Sequence, residues 1–171
     1  GVGKMASGRW LKAVYLGFVA LNLAACATSY KSVALEEPHA TITFQRNMSG
    51  TRAVNNEPYQ GYELVDGPSC ANDQKVAWFS FDGEYIETAR FAANKKLHFV
   101  MHSVQNQNLN GPWCFSYLGF DALNGRDYLV MHERCSALVF DVTDGNRRRL
   151  RSVDVIDGFE CPKQGAAVTP K

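Results

Sequence analysis

The chain has 171 residues, with 18 Lys and Arg against 17 Asp and Glu and a formal charge of +1 at neutral pH. That even balance excludes the strongly basic face that nucleic-acid binders carry. The length suits one domain, and a chain of about 150 residues buries roughly 68–70% of its unfolded surface, enough for a substantial core.

Residues 1–25 contain no acidic residue; Lys4, Arg9 and Lys12 form a short basic region before the apolar run AVYLGFVAL. That run is shorter than the roughly 20 apolar residues of a membrane-spanning helix. The order of basic, apolar and small residues is that of a helical secretory signal segment. Met5 reads as its start, with residues 1–4 as an upstream extension. Ala24 and Ala25 lead directly into Cys26, and Leu23-Ala24-Ala25-Cys26 resembles the lipobox of bacterial lipoprotein precursors. The resemblance implies cleavage between Ala25 and Cys26 and a diacylglyceryl thioether on the Cys26 sulfur. Ala27, where Asp would mark inner-membrane retention, implies an outer-membrane address. Acyl chains contribute about 0.8 kcal/mol per buried methylene, so several make a stable anchor. The covalent lipid on Cys26 is the one attached group expected, with no other cofactor.

Removing residues 1–25 takes away three of the 18 basic residues and none of the 17 acidic ones, leaving a formal charge of −2. Residues 26–38 then read as a lipidated N-terminus and tether. ATITFQR (40–46) alternates and is the first expected strand. The Asn-, Gly- and Ser-rich stretch 47–58 is a loop suited to recognition. GYELV precedes the turn Asp66-Gly67-Pro68, and KVAWFSFDGEYI predicts a hairpin at Asp82-Gly83. In KLHFVMHSV (96–104), Leu97, Phe99 and Met101 alternate with His98, Val100 and His102. WCFSYLGF, DYLVMHER, CSALVFDV and LRSVDVI follow as strands, and no amphipathic helix stands out. The expectation is an all-β, antiparallel β-sandwich, Ig-like or transthyretin-like, of about 7–8 strands. It occupies 39–162, with 163–171 as a flexible tail. The segment FDGEYI…RFAANKKLHFVM resembles the PEGA-type and transthyretin-like modules of bacterial envelope proteins.

Beyond Cys26, four cysteines remain, and in an oxidising compartment they allow two disulfides in three connectivities. Asn124-Gly125 is a strong two-residue hairpin signal. A turn there opposes Leu123 with Arg126 and, nine steps further out, Cys114 with Cys135. That position is a non-hydrogen-bonded pair, with Cα atoms about 4.5 Å apart and within disulfide range. The same register sets Leu118 opposite Met131 and Phe120 opposite Leu129. Cys70–Cys161 is left as the companion bridge.

No catalytic or metal site emerges. His98 and His102, four apart on a strand, lie roughly 13 Å apart, too far for one zinc at about 2.1 Å. With His132 they read as solvent-facing. No nucleophile elbow or phosphate-binding loop is present in the mature chain, and no carboxylate pair can be chosen without geometry. Arg147, Arg148, Arg149 and Arg151 form a possible patch for anionic lipid, glycan or protein, or a solvated hairpin end whose charge discourages edge pairing. Trp78 and Trp113 read as core residues, with a binding patch at Trp113 after QNQNLNGP as the alternative. The functional expectation is an outer-membrane lipoprotein acting as a non-catalytic binding or assembly module. Its partners would be the membrane, through the anchor, and an envelope protein or glycan. The alternatives are an inhibitor or ligand-capture lipoprotein and, third, an envelope hydrolase.

Overall fold

The computed structural model of the chain describes residues 28–46, 59–79, 86–104, 113–133 and 135–162. The signal segment, Cys26, the stretches 47–58 and 105–112, the Asp82-Gly83 turn and the tail 163–171 lie outside them. The strands are β1 (Thr28–Ser29), β2 (His39–Gln45), β3 (Tyr59–Val65), β4 (Gln74–Phe79), β5 (Ile86–Ala92) and β6 (Lys95–Val104). After these come β7 (Trp113–Ala122), β8 (Asp127–Glu133), β9 (Ser136–Asp141), β10 (Arg148–Arg149) and β11 (Val153–Asp157).

Two sheets face each other, of order β1-β4-β3-β6-β7-β11 and β10-β9-β8-β2-β5. Among the described residues only β1/β4 and β2/β8 pair in parallel. The expected all-β sandwich is therefore present, with more strands than the sequence pattern offers. β1 and β10 are too short to leave a period, and β5 buries little beyond Phe91.

Strict alternation builds the core. Ala40, Ile42 and Phe44 of β2 point inward while their neighbours stay half-exposed, as the pleat requires. Phe44 contacts Tyr62, Phe91 and Phe99 at ring-centroid distances of 5.0, 6.1 and 5.5 Å. Tilted and edge-on aromatic pairs of this kind add about 0.5–1.5 kcal/mol each beyond their burial.

Residues 28–38 do not hang free as a tether. Thr28–Ser29 extend the six-stranded sheet beside Gln74–Lys75. Tyr30 stacks on Phe91 at 4.5 Å and its hydroxyl donates to the Arg90 carbonyl. Val33 N–H donates to the Arg90 carbonyl in turn, and Arg90 Nε–H to the Val33 carbonyl. The segment binds the β4 edge of one sheet and the β5 edge of the other.

The Asn124-Gly125 turn forms, with Gly125 at φ 69° and Arg126 N–H donating to the Leu123 carbonyl at 3.3 Å. It does not close a hairpin. β7 already has β6 on one edge and β11 on the other, while β8 lies between β2 and β9. With no free edge on either strand, the chain crosses from one sheet to the other. The expected pairs 118/131 and 120/129 are therefore absent. The inward face of β8 is Tyr128, Val130 and His132, the opposite parity. β4 and β5, which flank Asp82-Gly83, likewise belong to different sheets.

Both expected disulfides are present, with Cα–Cα distances of 5.3 Å for Cys114–Cys135 and 5.6 Å for Cys70–Cys161. Cys114–Cys135 ties β7 to Cys135, which lies just before β9 of the opposite sheet with φ 62°. It is an inter-sheet staple, not a cross-strand pair. Cys70–Cys161 holds the segment after β11 against the outer face of the six-stranded sheet. Phe159 packs there on Tyr117 at 5.1 Å, over Val65 and Val100.

Candidate functional site

The outer face of the six-stranded sheet carries side chains that sequence reasoning put elsewhere. Trp78 of β4 and Trp113 of β7 were expected in the core, yet they are 40% and 44% exposed. His102 of β6 was expected in solvent, yet it is only 9% exposed. The three form a chain of rings: Trp78 to His102 at 5.1 Å and His102 to Trp113 at 5.8 Å. Phe115 completes the group at 6.2 Å from both His102 and Trp113.

Gly61 makes this arrangement possible. It lies on β3 between β4 and β6, paired with Trp78 on one side and His102 on the other. Trp78 and His102 are thus two strands apart, which would ordinarily hold their backbones nearly 10 Å from each other. With no side chain at Gly61 their rings close over the gap. A Cβ there would sit 2.2 Å from His102 Nε2 and 2.8 Å from Trp78 Cζ3. The result is a narrow strip running across the strands, one ring wide at Trp78 and His102 and two at β7, where Trp113 and Phe115 lie side by side.

Beside the strip lies an open cleft of about 550 Å³ lined by Glu63, Val100, His102, Trp113, Phe115 and Glu160. The staple to Cys161 sets its far wall. Burial pulls the His102 imidazole down to about 4, and the nearby Lys75 cation adds to the effect. At neutral pH the ring is uncharged, with one donor and one acceptor nitrogen. Among the described residues no hydrogen bond reaches it. Burial raises the Glu63 carboxyl, the Asp73 carboxylate raises it further, and Lys75 opposes both. The Lys75 ammonium itself sits 4.8 Å from the Trp78 ring centroid, a cation–π contact.

The other histidines are dispersed. His98 bonds the Tyr117 hydroxyl on the outer face, and His132 is fully buried in the core, a correction to its solvent-facing reading. Among the described residues no group of three or more His, Cys, Asp or Glu is placed to hold a metal ion. Arg147, Arg148, Arg149 and Arg151 are all exposed, Arg147 just before the edge strand β10, Arg148 and Arg149 on it and Arg151 in the bend after it. Arg148 pairs with Asp144 at 2.6 Å, and a shallow hollow of about 700 Å³ lies along Arg148, Arg149 and Arg151.

Sequence reasoning missed Glu63, Glu160 and Gly61. A glycine in mid-strand was the one available signal, since it marks close approach over the backbone. Substituting Gly61→Ala is expected to push His102 out of the strip. Overpacking of this kind costs about 1–3 kcal/mol, and the displaced imidazole should titrate nearer 6.5 than 4. Both effects are readable, by urea unfolding and by NMR titration of the ring. An unmoved His102 titration would show that the strip does not depend on this glycine.

No protein-family model matches the chain, and no curated protein or solved structure is significantly similar to it.

Proposed function

We propose that the protein is an outer-membrane lipoprotein of the bacterial envelope whose sandwich is a non-catalytic binding or assembly module, with the aromatic strip as its contact surface. The strip is the observation that carries this reading. Exposed tryptophans set beside buried polar groups are typical of recognition surfaces, and these sit on rigid strands instead of on a loop. The lipobox Leu23-Ala24-Ala25-Cys26 supplies the address, and two disulfides suit an oxidising compartment. The PEGA-type and transthyretin-like resemblance points to the same setting.

With that anchor, the docked N-terminal segment supports one orientation of the module. Cys26 precedes Thr28 by two residues, a reach of at most about 7 Å. An acyl anchor on Cys26 therefore holds the β1 and β5 edges at the membrane, and the strip, starting on β4 next to β1, leads away from it. The arginine cluster lies on and around β10, four strands from β5 and roughly 19 Å across the sheet. It would meet an anionic partner away from the anchoring leaflet, not the headgroups of that leaflet. The ligand-capture alternative uses the same cleft with a small occupant, and hydrolysis would need a reactive pair assembled there.

Labelling with a radioactive fatty acid, followed by membrane fractionation, tests the anchor. The wild type should be labelled and membrane-bound, and Cys26→Ser should be unlabelled and released. A native polypeptide that retains residues 1–25 with a free thiol at Cys26 would overturn the assignment.

A further inference from the structure

The chemistry of the strip narrows its ligand. The strip runs from β4 to β7, its ring centroids stepping 5.1 Å from Trp78 to His102 and 5.8 Å from there to Trp113, longer in total than any single ring it could hold. It is one to two rings wide, whereas an ordinary protein interface buries about 800 Å² on each partner. A long, narrow row of aromatic faces fits a chain of flat units better than a broad protein surface.

The polar groups around it discriminate further. Glu63 and Glu160 line the cleft, Asp73 lies close enough to raise the Glu63 carboxyl, and among the described residues Lys75 is the one cation placed over the strip. Three carboxyls against one ammonium repel phosphates, uronates and other polyanions. What remains is a ligand with apolar C–H faces for the rings, whose π clouds are negative, and a rim of hydroxyls or amines for hydrogen bonding. Carboxylates accept from such a rim, Lys75 donates, and the neutral imidazole of His102 does both. His102 is nine-tenths buried, lines the cleft and has no hydrogen-bond partner among the described residues. A hydroxyl arriving in the cleft would satisfy it.

We propose that the strip Trp78–His102–Trp113–Phe115 and its cleft bind a linear glycan of neutral or amine-bearing sugars, with its rings stacked along the strip and on the two tryptophans. This rests on the reading of this face as the binding surface. An envelope glycan of N-acetylated or free hexosamines has this chemistry.

The test uses the full chain in detergent micelles, with chitin hexamer, chitosan hexamer and an oligo-uronate as probes, read by calorimetry and tryptophan fluorescence. Chitin or chitosan hexamer should bind and shift the emission, and the uronate should not. The relative affinity of the two hexamers tells acetylated from free amino sugars. Trp78→Ala and Trp113→Ala should each weaken binding tenfold or more, while Arg149→Glu leaves it unchanged. Both tryptophans are some two-fifths exposed, so these variants should retain the wild-type melting profile, and Trp→Gln serves if either does not. Absence of binding to both hexosamine probes, or binding indifferent to both tryptophans, would overturn the proposal. So would burial of the two indoles in phosphatidylethanolamine vesicles lacking any glycan, which would make the strip a membrane contact. Fatty-acid labelling is scored separately, so a lipoprotein that ignores glycans refutes this site and leaves the anchor standing.

Discussion

Replacing Cys70 and Cys161 together by serine is expected to remove about 4.5 kcal/mol of stability. The bridge spans 91 residues, and loop-closure entropy in the unfolded chain grows with the logarithm of that span. The same relation gives about 3.3 kcal/mol for Cys114–Cys135, whose span is 21. A domain of this size is stable by only about 5–15 kcal/mol, so losing the longer bridge brings it near the threshold of folding. The loss also has a local consequence. Cys161 anchors the segment that sets Phe159 on Tyr117 and Glu160 along the cleft. The Gly158 N–H bond to the Phe115 carbonyl at 2.9 Å would remain its nearest tie to the sheet. The double variant should therefore unfold at a much lower urea concentration and, while still folded, bind strip ligands more weakly. A midpoint within 1 kcal/mol of wild type would show that aromatic packing holds the segment without the staple.

The two disulfides are also instructive about what the chain discloses. Cys114–Cys135 follows from a hairpin register that the molecule does not use. A local signal such as Asn124-Gly125 fixes a reversal of direction but not which edges are vacant afterwards. Here β6, β11, β2 and β9 had already filled them, so the turn became a corner between sheets and reversed the parity of β8. Alternation in β2 was legible because a single buried face suffices to produce it. The strip was not, because hydrophobicity places tryptophan inside and histidine outside. Their exchange depends on Gly61, a partner whose position beside both strands exists only after folding. The N-terminal segment 28–38 escaped for a related reason: its attachment runs through backbone groups, the Ser32 hydroxyl, the Arg90 guanidinium and the Tyr30 ring, which leaves no apolar period to read.

Acid should weaken the fold well before the carboxylates are all protonated. His132 is fully buried, and its imidazole is pulled down to about 4, chiefly by burial, with His102 adding to the effect and Asp157 opposing it. In the unfolded chain the ring titrates near 6.5. Between those values the unfolded state takes up a proton that the folded state refuses, so stability falls as pH falls through the window. The contribution is fully present above pH 6.5 and lost by about pH 4. One pKa unit corresponds to 1.36 kcal/mol, so His132 alone accounts for roughly 3 kcal/mol. His102, lowered to a similar value, steepens the slope further. Urea unfolding from pH 7 to 4.5 should show this decline, and His132→Leu should remove about half of it. The position also determines which part yields first. His132 Nε2 lies 3.9 Å from Cys114 Sγ, and among the described residues its Nδ1 finds no partner, nor do the buried hydroxyls of Ser103 and Ser116. A protonated ring must be hydrated, and the polar end of the core is where water can reach it with least loss of apolar packing. Hydrogen exchange at pH 5 should therefore accelerate at β8 and the adjoining end of β7 before it does around Phe44. Uniform acceleration across both sheets would rule out His132 as the group that opens the fold.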